Sequence, residues 1–210
     1  RILLQKIRND KSIDAVVIRV NSPGGSSLAS DIIWREIDLL KKEKPVVVSM
    51  GDLAASGGYY IACGADSIFA NANTITGSIG VFSIIPNVTN FMKNKLGITF
   101  DRVKTGSYAD APSATRQLTT MEQNFLQSGV DSVYHTFKSR VAAGRKKNID
   151  FIDSIAQGRV WTGSDAIKVG LVDKIGTLED AIQSAARMAH VKGYSLKSFP
   201  ESKSFIDDFI

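Results

Sequence analysis

Ala15-Val-Val-Ile-Arg-Val20, running directly into Asn21-Ser-Pro-Gly-Gly25, is the stretch on which the fold turns. A short β-branched run reads as a buried strand, and a cluster of Asn, Ser, Pro and Gly ends it in a tight turn. From Ser26 or Ser27 onward, Leu28, Ile32, Ile33, Ile37 and Leu40 recur at helical spacing as far as Lys41-Lys42-Glu43-Lys44. Cations there suit the negative end of a helix. Pro45 then opens a second β-branched run, Val46-Val-Val-Ser49. Strand, helix and strand in that order predict a βαβ unit, and with it an α/β fold on a parallel sheet.

Outward from this unit the rhythm continues. Gly51-Asp-Leu-Ala-Ala-Ser-Gly-Gly58 reads as a glycine turn before a small-residue helix, Tyr59 to Cys63. Ser67 to Ala70 follows as a strand and Thr76-Gly-Ser-Ile-Gly80 as another glycine turn. Val88 to Leu96 reads as helix, Thr99 to Lys104 as strand, and Thr105 to Arg116 as an irregular loop. A long helix is expected from about Thr119 to Gly144, opened by the capping box Thr119-Thr-Met-Glu122. Ile149 to Ala156 and Leu178 to Ala189 are further helices around the turn Gly158-Arg-Val-Trp-Thr-Gly163. Neither a repeat nor a linker is visible, so one domain over residues 1–210 is expected, with helices concentrated in its second half.

Composition narrows the classes. With 210 residues, 43% of them apolar and 22% charged, the chain is long enough to bury a substantial core, which excludes disorder and small disulfide scaffolds. Its single cysteine, Cys63, cannot close an internal bridge. The net charge is +5, and the densest basic cluster is only Arg145-Lys146-Lys147. Nucleic acid is therefore not an expected partner, while weak attraction to an anionic membrane surface is compatible with the charge. No stretch reaches the ~18 apolar residues needed to span a bilayer. Arg1-Ile-Leu-Leu-Gln-Lys-Ile-Arg8 has helical spacing without an initiator Met or signal peptide, and reads as the middle of a longer protein.

Three glycine-rich turns, Ser22 to Gly25, Ala55 to Gly58 and Thr76 to Gly80, are expected at the C-terminal ends of strands, the edge where open α/β folds bind ligands. Glycines there let backbone N–H groups approach either a phosphate or an oxyanion. Neither Gly-x-Gly-x-x-Gly nor Gly-x-x-x-x-Gly-Lys-Ser/Thr is present, which favours the oxyanion. Ser56, between small residues and two glycines, is the best-placed nucleophilic hydroxyl; the competing reading makes it a simple helix N-cap. Only two histidines, His135 and His190, are available as its base, and both fall on helices as ordinary surface or core residues. The chemical alternative is a desolvated lysine, whose neutral amine can accept the proton.

Four ordered motifs carry a family resemblance: Asn21-Ser-Pro-Gly-Gly-Ser26, Asp52-Leu-Ala-Ala-Ser-Gly-Gly-Tyr-Tyr60, Thr76-Gly-Ser-Ile-Gly-Val81, and Gly158-Arg-Val-Trp-Thr-Gly163 with Gly170-Leu-Val-Asp173. From about Asp14 to Ala189 the chain resembles the signal peptide peptidase A family of membrane-bound serine peptidases. The resemblance implies a Clp protease/crotonase-like fold of repeated ββα units with added C-terminal helices. It also implies a Ser/Lys dyad acting on signal peptides left in the membrane, and no metal or organic cofactor. Ser56 matches the nucleophile, Gly25 and Gly57 the backbone oxyanion donors, and Ser78 the hydroxyl that orients the lysine. Leu53, Val81 and Phe82 are candidates to line substrate pockets, or simply pack the core.

One departure stands out. Short members of the family place the lysine in a Gly-x-x-Lys-Asp segment, and here Gly106-Ser-Tyr-Ala-Asp110 has Ala109 in its place. Lys104, five residues earlier, reads as an ordinary loop or strand-end lysine. Double-length members carry the serine in a C-terminal domain and the lysine in an N-terminal one. The chain is therefore expected to resemble the C-terminal half of a tandem enzyme, with lysine and membrane anchor upstream; replacement of a native lysine by Ala109 is the competing account. Such an enzyme would be a homo-oligomer at the bacterial inner membrane, its catalytic domain outside the cytoplasm. Outside the family, the rival functions are a crotonase-type acyl-CoA enzyme, which needs no nucleophilic serine, and a catalytically silent scaffold of an oligomeric ring.

Overall fold

Ten residues, Val46–Ala55, form strand β2, around which the first of two compact units (residues 1–80 and the chain from Phe137 on) is built. The computed structural model describes residues 1–200. Val46, Val47, Val48, Ser49 and Met50 are all buried, the continuous pattern of a strand covered on both faces. β1 (Val16–Ser22) pairs in parallel along one edge of β2. The other edge is shared by two parallel strands in succession, β3 (Ser67–Ala70) against Val47–Ser49 and β4 (Ile75–Gly77) against Leu53–Ala55. The sheet is extended by β5 (Val160–Thr162), antiparallel to β4, and β6 (Lys174–Ile175), parallel to β3. This is the expected α/β fold of Clp protease/crotonase-like type.

The helices follow the amphipathic patterns. α2 (Ser27–Lys41) starts at Ser26, whose side chain accepts from the Ala29 N–H, and buries Ile37 and Leu40. Each such fully buried side chain contributes about 1.5–3 kcal/mol. α3 (Gly57–Ala62) follows β2, and its Tyr59 is fully buried with the hydroxyl donating to the Leu171 carbonyl. α8 (Leu178–Met188) opens with a Thr177/Asp180 capping box and lays Ala181 and Ala185 against Val47 and Phe69. α1 (Ile2–Asn9) is tied down by polar groups: Gln5 donates to the buried Glu36, and the buried Lys44 donates to the Ile7 and Asp10 carbonyls. α6 (Ile149–Ile155) and the short α7 (Gly163–Ala166) complete the unit. No described helix is long and apolar enough to cross a membrane.

Several expectations needed correction. Val46–Ser49 was only the first part of a strand that continues to Ala55, because pairing with β4 recruits residues that read as a glycine turn. The added stretch carries an irregularity. The register passes from Val20↔Met50 to Ser22↔Ala54, and the Asn21 side chain fills the gap by accepting from the Leu53 N–H at 3.2 Å. Thr99 to Lys104 is not a strand: all six residues are exposed and none joins a strand ladder, and an isolated extended segment has no ladder to hold it.

The second unit, Val81–Thr136, holds α4 (Thr89–Leu96), a long irregular stretch, and the start of α5 (Thr120–Arg145), which ends in the first unit. Thr119 and Glu122 form the expected capping box. Arg116 organises the irregular stretch, donating to Asp110 at 2.8 and 2.9 Å and to the buried Glu122 at 2.5 and 2.7 Å. Hydrogen bonds from Arg116, aided by the Thr119 N–H, hold the Glu122 carboxyl down at about 2, and Arg116 likewise holds Asp110 below the usual carboxylate range. Both depressed acids favour folding above their unfolded values, near 4, and that contribution is lost as pH falls through their folded values. Amide hydrogen-exchange protection in 81–136, corrected for intrinsic rates, is therefore expected to fall between about pH 4.5 and 2. Arg116→Leu should remove most of this pH dependence; a variant that keeps the wild-type profile would exclude the cluster as its source.

Candidate active site

Ser56 stands where β2 ends and α3 begins, and its backbone is held from both sides. Its N–H donates to the Gly77 carbonyl at 2.9 Å, and its carbonyl accepts from the Tyr60 N–H at 2.8 Å. The result is φ 50° and ψ −119°, a conformation that a residue with a Cβ adopts at a cost of about 1–3 kcal/mol. Strain of this kind persists only where the surroundings impose it. A sharp strand-to-helix turn with a strained serine is also the local geometry that lifts a nucleophilic Oγ out of a sheet. Ser56 does occupy the N-cap position of α3, yet its side chain makes no capping hydrogen bond. The hydroxyl is half-buried and is not consumed by the helix.

The turn after β1 meets this serine backbone to backbone. Gly24 has φ +113°, and a Cβ there would stand 2.8 Å from both the Gly57 nitrogen and the Ser56 Cβ. A Cβ on Gly57 would stand 3.2 Å from the Gly25 nitrogen and 2.5 Å from Ser30 Oγ. No side chain separates the two turns, so the N–H groups of Gly25 and Gly57 come from adjoining backbone. Adjoining N–H groups beside a serine are the arrangement that stabilises a developing oxyanion.

Ser78 lies one residue beyond the carbonyl that holds Ser56. It is half-buried at φ 47°, with its N–H donating to the Arg159 carbonyl at 2.7 Å. Trp161 on β5 braces this turn: a Cβ on Gly77 would approach Trp161 Cδ1 to 2.7 Å, and the indole is fixed by its bond to the Ile155 carbonyl. The Gly158–Gly163 motif thereby finds a physical role as the support for the Ser78 turn. Gly24 and Trp161 lay inside motifs quoted from the sequence, but nothing in the sequence marked their contacts.

Leu53 is half-buried on β2, opposite Ile75. Val81 and Phe82 belong to the second unit, Val81 half-buried and Phe82 83% exposed. Ala109 and Lys104 also belong to the second unit, where Lys104 pairs with Asp110 at 3.5 Å. His135 and His190 are exposed. Lys44, the buried lysine among the described residues, sits before the N-terminal end of β2, roughly 30 Å of strand away from Ser56. Burial pushes the Cys63 thiol up to about 12, which leaves it a core residue rather than a nucleophile. Among the described residues no cluster of three or more His, Cys, Asp and Glu side chains could hold a metal ion.

The sequence profile of peptidase family S49 matches residues 38–192. Protease 4 of Haemophilus influenzae is 45% identical over 189 residues, covering 90% of this chain and 30% of that protein. The chloroplastic serine protease SPPA of Arabidopsis thaliana is 40% identical, covering 90% of this chain and 28% of the relative. A protein named putative signal peptide peptidase SppA from Enterococcus faecium is 40% identical, covering 86% and 53% respectively. The chain thus spans between about a quarter and a half of the length of these relatives.

Proposed function

The chain belongs to peptidase family S49, and on that premise we propose that it is the serine-bearing part of an endopeptidase with a Ser/Lys dyad, acting on signal peptides and similar apolar peptides. Ser56 is the nucleophile, Gly25 and Gly57 donate to the oxyanion, and Ser78 orients the lysine. The observation that carries this reading is the strained Ser56, its hydroxyl left free by the helix it precedes, with the Gly24–Gly25 turn in direct contact. The substrate class is supported by the name of the Enterococcus relative and by the apolar character of signal peptides.

In the proposed reaction the neutral lysine amine takes the Ser56 proton as Oγ bonds to the peptide carbonyl carbon. Negative charge collects on the carbonyl oxygen, facing the N–H groups of Gly25 and Gly57. As the C–N bond breaks, the proton passes from the lysine to the leaving amine. Water then adds to the acyl-enzyme and gives its proton to the same lysine, which returns it to Ser56 Oγ as the acyl–oxygen bond breaks and the acid leaves. The residues of this chain supply everything except the base.

The base, in this reading, comes from outside these 210 residues. Ala109 cannot accept a proton, Lys104 is paired with Asp110, and Lys44 is engaged at the opposite end of β2. The relatives' greater length leaves room for a further domain to supply it, and likewise for a membrane anchor at the inner membrane and for assembly into a homo-oligomer. Purified 1–210 is expected to show no Ser56-dependent cleavage of a fluorogenic apolar peptide, whereas the full-length protein turns it over. Cleavage by 1–210 that Ser56→Ala abolishes would place the base inside the chain while leaving the nucleophile assignment intact.

A further inference from the structure

The two turns that carry Gly25 and Gly57 each lead into a helix, and those helices are joined by side chains away from the serine. Asp31 lies on α2, five residues beyond its N-cap Ser26. Tyr60 lies on α3, four residues beyond Ser56, and is buried. The Tyr60 hydroxyl donates to Asp31 Oδ1 at 2.7 Å. Tyr60 is three residues from Gly57 and Asp31 six from Gly25, both near the starts of their helices, so a change in their separation is carried toward the two turns.

The pair is itself held. Arg140, on the part of α5 that belongs to the first unit, approaches Asp31 Oδ1 with Nε at 3.4 Å, and its guanidinium stacks over the Trp34 ring of α2 at 3.9 Å. The Tyr60 ring packs against Phe137 with centroids 4.7 Å apart. Burial, with the hydrogen bond to Asp31, raises the Tyr60 hydroxyl well above the usual phenol range, so it stays protonated as a donor at any working pH. On the side nearer the serine, the buried Ser30 of α2 lies against Gly57.

We propose that Tyr60 and Asp31 are positioning residues for the oxyanion hole: their hydrogen bond fixes α3 against α2 and so sets the spacing of the Gly57 and Gly25 N–H groups. Arg140 orients the Asp31 carboxylate for that bond. The inference rests on Ser56, Gly25 and Gly57 acting as assigned above. It concerns the transition state in particular, because two N–H groups a few tenths of an ångström out of place still admit substrate but grip the oxyanion less well.

The test uses the full-length protein with a fluorogenic apolar peptide. Tyr60→Phe keeps the ring and its packing on Phe137 and removes only the hydroxyl. It is expected to lower kcat by roughly 10- to 100-fold, with KM within about two-fold. Binding of a peptide boronate, which mimics the tetrahedral intermediate, should weaken in proportion to kcat/KM, while binding of the cleaved peptide product should not change. Asp31→Leu should match Tyr60→Phe, Asp31→Asn, which retains an acceptor oxygen, should recover much of the loss, and the double variant Asp31→Leu/Tyr60→Phe should be no worse than either single one. Unchanged kcat per folded molecule, or equal weakening of boronate and product, would overturn the proposal. Loss of activity in Ser56→Ala alongside full activity in Tyr60→Phe would reject this inference alone, whereas full activity in Ser56→Ala would reject the reading beneath it.

Discussion

Ser56→Ala in the full-length protein is expected to lower kcat/KM for apolar peptides by on the order of 10⁴-fold or more, since in the proposed reaction the acyl intermediate forms on Ser56 Oγ. The same substitution should leave the fold intact, because the hydroxyl makes no capping bond and the side chain is only half-buried. Ser56→Gly separates catalysis from strain still further. It should be equally inactive, yet at φ 50° a glycine escapes the penalty that any side chain meets, so an unchanged or raised Tm is expected beside complete loss of turnover. The alanine variant also divides the rival chemistries. A crotonase-type acyl-CoA enzyme would rely on the same paired N–H groups without the serine and would keep its activity. Peptide cleavage that survives Ser56→Ala would remove the nucleophile assignment outright.

Gly24→Ala is expected to have the next largest effect. Its Cβ would stand 2.8 Å from the Gly57 nitrogen and from the Ser56 Cβ, a collision with backbone that no side-chain rotation relieves, and at φ +113° the new residue is strained in addition. The turn has to withdraw from Ser56, which pulls apart the Gly25 and Gly57 N–H groups proposed to face the oxyanion. Loss of one oxyanion donor costs about 10²–10³ in kcat, and a loss of that order is expected here together with a lower Tm. Gly129→Ala is the matched control. That glycine lies within α5 with nothing within 4 Å of its Cβ position, so activity should be unaffected and stability slightly raised. Equal activity in Gly24→Ala and Gly129→Ala would show that contact between the two turns is irrelevant to catalysis.

The parts of the fold that could be read from sequence were those whose signals are local. Val46 to Ser49 announces a buried strand by composition, Ser26 and Thr119 announce helix starts by capping, and Pro23-Gly24-Gly25 announces a turn. What was misjudged depended on distant partners. Gly51 to Ala55 became strand only because β4 arrives beside it, and Thr99 to Lys104, with a comparable local pattern, received no such neighbour and stayed irregular. The site divides in the same way. Ser56 and its glycines stood out because a hydroxyl that must meet a substrate needs small residues around it. The Gly24 contact, the Trp161 brace and the Asp31–Tyr60 bond join residues 29 to 84 positions apart, and no spacing rule reveals them. The two histidines, scarce enough to draw suspicion, both turned out to lie on the surface.

The antiparallel pairing of β4 with β5 has a consequence for biosynthesis. β4 and the Ser78 turn after it are translated early, yet the strand and tryptophan that brace them lie roughly 80 residues further along. At ~5–20 residues per second the ribosome needs on the order of 4–16 s to cover that distance, before allowing for the exit tunnel. Throughout that interval the nascent chain exposes a serine turn that has lost one of its walls. The order of the strands in the gene therefore acts as a delay line for the completion of this turn.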